Sequence, residues 1–183
     1  LGDHGHLRVD KVINPNVLLK SNGFIKVENG EVKDFDAYVN SSGISAQIIV
    51  NNLDRLTELR ELLEEFKEEL FIENIFTKEE ASNLGLEGDF EMVIEGLEGI
   101  SFGNDFEGSI IKDSDIKDYK FAVATHGHLP TKGNRPPFIA FGPNIKGGVV
   151  IEEGDLRAHA ATILKMFDLK LDGVEKEAFD FIM

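Results

Sequence analysis

No cysteine occurs among the 183 residues. That absence excludes disulfides, thiolate zinc sites and cysteine nucleophiles together, and it leaves the redox compartment open. Basic residues are scarce: 19 Lys and Arg stand against 34 acids, a formal charge of −15. A sequence-independent grip on nucleic acid polymer needs surplus positive charge to displace counterions, so no such partner is expected. A free nucleotide held through metal ions stays compatible. No apolar run approaches the ~20 residues of a membrane span, and no basic stretch leads into an apolar segment as in a secretory signal. These residues are therefore expected to be soluble, in a compartment they do not specify. Repeats and low-complexity segments are also missing.

What is present suffices for a core. The hydrophobic fraction is 42%, with fourteen Phe, ordinary for a chain of this size. Acids peak around Glu58 to Glu69, where a solvated helix face is the simplest reading. "NPNVLLKSNG" predicts a short helix with Asn14 as N-cap, Pro15 at the first helical position and Gly23 past the end. "FIKVENGEVKDFDAYV" alternates around Asn29-Gly30, the pair favoured in two-residue hairpin turns. "ISAQIIV" predicts a strand. "DRLTELRELLEEFKEEL" predicts a helix, with Leu56, Leu59, Leu63, Phe66 and Leu70 on one face and Asn52 or Asp54 as cap.

Further along, "FIENIF" and "DFEMVIEG" predict strands flanking "TKEEASNLG", where Thr77 and Glu80 have capping-box spacing and Gly85 closes the turn. Gly99 to Lys120 lacks periodicity and predicts an irregular connection. "YKFAVAT" and "PPFIAFG" predict short strands, and "DLRAHAATILKMFDL" predicts a last helix with Asp155 as cap. Helices among strands, several in hairpin order, point to α/β with a mixed sheet. Three parts are expected: residues 1–6 as the stump of a core strand carrying metal ligands, 7–116 as a small α+β lobe, and 117–183 as the C-terminal part of a core α/β domain.

Four of the five histidines lie in two similar phrases, "GDHGH" at residues 2–6 and "THGH" at 125–128. Carboxylate and neutral imidazole are the usual ligands of zinc or manganese, and neighbouring glycines let the backbone turn so that side chains converge. On a regular strand Asp3 and His4 would face opposite ways, so sharing one ion requires the strand to end and bend at Gly5. Taken alone, each phrase is equally the composition of a polar loop.

The phrases also resemble a known family. "GDHG" is similar to the metal-binding phrase of the type I phosphodiesterase and nucleotide pyrophosphatase branch of the alkaline phosphatase superfamily. "THGHLPTKGNRPPFIAFGPNIKGG" resembles the branch's later segment, a His-Gly followed by a Pro-containing loop, an apolar strand and Gly-Pro. "DLRAHAATILKMFDLKLDG" resembles its terminal helix, departing at Ala161, where the family often has Pro. The three phrases stand in the family's order at the two ends of the chain. The middle resembles the branch's variable small lobe only loosely.

The resemblance implies an alkaline-phosphatase-like fold and two divalent ions, usually zinc, flanking a Thr or Ser nucleophile. By position, Asp3 and His4 would bind the ion beside the nucleophile and His126 the other. His6 and His128 match no ligand position and are read as surface or supporting residues, and His159 as structural. Paired cations clamp the attacking and departing oxygens of an in-line displacement. The substrate would be a nucleotide or another small phosphodiester.

The nucleophile and the remaining ligands have family positions before the Asp-His-Gly phrase, so the chain is expected to be a C-terminal fragment, inactive alone and binding metal weakly. Apolar surface is expected to be exposed, or covered in a homodimer. A phosphomutase, phosphonate hydrolase or sulfatase of the same superfamily is one alternative. A noncatalytic binding or assembly module, pairing through a strand edge, is another.

Overall fold

The computed structural model describes residues 1–117, 123–170 and 172–183. In chain order the elements are β1 (Leu7–Ile13), α1 (Pro15–Ser21), β2 (Ile25–Glu28), β3 (Glu31–Phe35), β4 (Ala37–Ser41) and β5 (Ser45–Val50). A 3₁₀ turn at Leu53–Arg55 leads into α2 (Leu56–Glu65), followed by β6 (Ile72–Thr77), α3 (Lys78–Asn83), β7 (Met92–Gly96) and β8 (Gly99–Phe102). Then come β9 (Ile111–Asp113), β10 (Ala124–Thr125) and α4 (Ala158–Met166). The architecture is mixed α/β with a mixed sheet. Among the described residues no helix is long and apolar enough to cross a membrane.

The chain divides into two compact units, Gly5–Arg135 and Leu1–His4 with Pro136–Met183. Residues 1–6 carry no strand; β1 begins at Leu7, after the first histidine phrase. The sequence-based boundaries after residues 6 and 116 differ from this division for a local reason. Leu7 and Arg8 of β1 pair with Thr125 and Ala124 of β10, and the Val9 amide donates to the Val123 carbonyl at 2.9 Å. The second histidine phrase is thereby tied to the lobe.

In the lobe, β1 is flanked by β8 in parallel on one side and by antiparallel β9 and β10 on the other. A separate antiparallel sheet runs β4-β5-β7-β6. Its inner face supplies Val39, Ala46, Ile48 and Ile94 to the core, where Leu59 and Leu63 of α2 and Leu19 of α1 are also fully buried. At the β2-β3 turn Asn29 and Gly30 both take positive φ, 54° and 80°, as a type I′ hairpin requires.

Thr77 and Glu80 form both bonds of the capping box at α3. The helix at α2 ends at Glu65, earlier than its apolar pattern; Leu70 still reaches the core through turns that end at Phe71, whose φ is +52°.

The segment read as irregular, Gly99 to Lys120, contains β8 and β9. Of "YKFAVAT", residues 119–122 lie outside the described residues and Ala124–Thr125 form β10. "PPFIAFG" at 136–142 is not a strand. Two consecutive prolines lack amide donors, and the Phe141 side chain stands 93% exposed.

The other unit is built around α4. Asp155, expected as the cap, lies two residues before the actual N-cap Arg157, which carries no side-chain cap bond; its carboxylate accepts from the Arg157 amide at 3.0 Å in the turn leading into the helix. Buried Thr162 donates to the Ala158 carbonyl at 2.7 Å and accepts from the Phe179 amide at 3.0 Å, tying the helix to the C-terminal residues. Phe138, His159, Phe179 and Phe181 pack ring against ring, which accounts for His159 as a structural residue.

Candidate functional site

Asp3 and His4 belong to one unit and His126 to the other. In the first, the chain at Asp3 bends rather than running as a strand, and His4 Nε2 stands 3.5 Å from Asp3 Oδ2. The two side chains therefore converge, which a regular strand would forbid. Both are accessible, with side-chain exposures of 85% for Asp3 and 38% for His4. The phrase is anchored at Gly2, whose amide donates to the Pro137 carbonyl at 2.9 Å. A Cβ at Gly2 would meet Pro136 Cβ at 3.0 Å, so the backbone approach favours glycine.

In the lobe, Gly5 packs against the loop after β10. A Cβ added there would stand 1.8 Å from the Asn134 carbonyl oxygen, a contact no side chain tolerates. Gly127 takes φ +84° and passes close to the β4-β5 turn, where a Cβ would stand 2.1 Å from the Ser42 carbonyl. Here the glycines of both histidine phrases have a steric reason. The His126 carbonyl accepts from the Ile44 amide at 3.0 Å.

The His126 ring meets the His6 ring edge to face, with centroids 6.1 Å apart. His6, assigned no ligand role from sequence, is thus the imidazole beside His126. His128 is half-buried, with Nε2 close to the backbone at Gly5 and Gly133.

A zinc centre uses three or four protein ligands. The geometry supplies a carboxylate-imidazole pair at Asp3-His4 and an imidazole pair at His6-His126. Among the described residues no group of three or more acidic or imidazole side chains is placed to hold a metal ion. Each pair falls short of a full zinc shell by itself.

Sequence reasoning missed a polar cluster beside the second phrase. Glu95 of β7 is 2% exposed. Its Oε1 accepts from the Leu129 amide at 2.9 Å, and its Oε2 from Asn74 Nδ2 at 3.0 Å. Lys132 Nζ lies 3.2 Å from the same Oε2, donates to the Gly96 carbonyl at 3.0 Å, and pairs with Glu73. The available signal was an acid inside a strand whose other residues are all buried.

Compared against protein-family models, curated proteins and solved structures, the chain finds no match in any of the three.

Proposed function

We propose that this chain contributes one bank of the metal-binding cleft of a phosphodiesterase or nucleotide pyrophosphatase of the alkaline phosphatase superfamily. The observation that carries the reading is the order of the three phrases, with Asp3 and His4 in the first and His126 in the second. Asp3 and His4 would hold one divalent ion and His126 the other. Two local features support it: Asp3 and His4 converge to 3.5 Å, and Gly5 and Gly127 sit where only glycine fits. The ions, zinc by the family's habit, would lower the pKa of the nucleophile and of water and neutralise charge on the phosphoryl group. The chain's own residues would bind and orient. The nucleophile and further ligands have no matching positions among these residues, so the proposal requires them from outside this sequence.

The test is zinc-dependent hydrolysis of bis(p-nitrophenyl) phosphate by the protein expressed from its complete open reading frame. Loss of residues that merely support a ligand costs about 10–100-fold, so Asp3→Asn, His4→Ala and His126→Ala should each cost at least about 100-fold. The 183-residue chain alone should bind zinc weakly and show no turnover. Undiminished turnover in the three variants would remove the site, and clear zinc-dependent turnover by the 183 residues alone would remove the division of the cleft.

A further inference from the structure

We propose that Glu95 and Lys132 are positioning residues that fix the backbone just after His128, opposite the attachment at His126, and so set the His126 and His128 imidazoles; their part in hydrolysis rests on the reading above. Every residue of β7 is buried, so an aliphatic side chain at position 95 would be the ordinary choice. A carboxylate there is costly unless paired and hydrogen-bonded, and an apolar replacement of such a pair is often neutral or stabilising. Stability alone is therefore a poor account of this acid. Geometry is a better one.

Both oxygens of Glu95 are occupied, and two of their three donors, the Leu129 amide and Lys132 Nζ, come from the loop after β10. Lys132 carries the same clamp onto the Gly96 carbonyl, and its Nζ is held by Glu73 from the edge strand β6. On the other side of His128, the Ile44 amide holds the His126 carbonyl and Gly127 lies against Ser42. Only Gly127 and His128 separate the two attachments, which leaves the loop little slack. The His126 ring then stands over His6 at the 6.1 Å separation.

The test reads position directly, in the chain without metal or substrate. Lys132→Met should abolish the proton-proton Overhauser contact between the His6 and His126 rings and accelerate Leu129 amide exchange at least about tenfold. Amides of β5 and β7 should stay within about threefold of their original exchange rates. Lys132→Arg should restore both signals. If Lys132→Met does not fold, the double variant Glu95→Leu, Lys132→Met removes both charges and should lose the ring contact with the sheet amides intact.

An unchanged ring contact, or Leu129 and sheet amides accelerating together, would overturn the proposal. So would Lys132→Arg behaving like Lys132→Met. A failed turnover assay with these readouts as expected would count against the phosphodiesterase reading and leave the clamp in place.

Discussion

The two units are made from similarly apolar sequence and bury it very differently. In Gly5–Arg135 the alternation of β4, β5 and β7 puts one side chain in two against α1 and α2, and Val39, Ile48, Leu59, Leu63 and Ile94 are each fully buried. In the unit of residues 1–4 and 136–183, Ile139, Phe141, Val150 and Phe167 are 77%, 93%, 83% and 71% exposed. Among its described residues the regular backbone pairing is one bridge between Ile145 and Ile182, alongside α4. Apolar composition alone does not make a core. A sheet that satisfies its backbone while turning one face inward does, and short segments without strand partners cannot.

Large-to-small substitutions in the two units should break this comparison most sharply. Leu63→Ala opens a cavity beneath the β4-β5-β7-β6 sheet and is expected to cost about 2–5 kcal/mol. Phe141→Ala removes a larger side chain from a 93% exposed position and should change stability by no more than about 0.5 kcal/mol. Urea titration followed by circular dichroism measures both. Equal losses would mean that Phe141 is covered in solution, as in a homodimer, and sedimentation at several concentrations would detect that.

The same contrast explains what could be read from sequence. The Asn29-Gly30 hairpin, the Thr77-Glu80 box and the leucine face of α2 are local signals, each contained within one turn or one helix. β8 and β9 are not local. Each exists because β1, about ninety residues or more away, offers an edge, and four residues "GISF" are too few to show a period. "PPFIAFG" errs in the opposite direction, being apolar enough for a strand but having no strand partner among the described residues of its unit. At the candidate site the carboxylate and imidazole types of Asp3, His4 and His126 were legible, as were the glycines beside them. The approach of His6 to His126 and the Glu95-Lys132 clamp depend on which strand meets which loop, and no spacing in the sequence encodes that.

Ion pairs offer a gentler form of the comparison. Arg55 stacks over Phe24 at 3.7 Å, donates to Asp36 and to the Gly23 carbonyl, and is 22% exposed; Arg157 bonds to Asp155 and Glu175 at 57% exposure. Arg55→Met should cost about 1–3 kcal/mol, and Arg157→Met visibly less because water screens its pairs. The pH dependence follows from the same contacts. Hydrogen bonding to the Arg55 guanidinium holds the Asp36 and Glu58 carboxyls below their usual range. A depressed folded pKa gives stability that is present above the unfolded value, near 4, and is lost as pH falls through the folded one. Arg55→Met should therefore flatten the fall in stability between about pH 5 and pH 2. A slope unchanged by Arg55→Met would assign the acid sensitivity elsewhere.

The smallest expected difference lies at the helix starts. Thr77 accepts from the Glu80 amide while the Glu80 carboxylate accepts from the Thr77 amide, and these bonds hold that carboxyl below its usual range. Thr77→Ala removes one half of the exchange and should cost about 1 kcal/mol. Because α3 packs on β6 and β7 through Ala81 and its neighbours Phe90 and Val93, that loss should lower the cooperative unfolding midpoint of the sheet. At α4, Asp155 accepts from the Arg157 amide on an open surface. Asp155→Ala should speed exchange of the first-turn amides of α4 and leave those of β7 as they were. If both substitutions lowered sheet protection equally, the two units would unfold as one, and the contrast between them would belong to burial alone rather than to cooperativity.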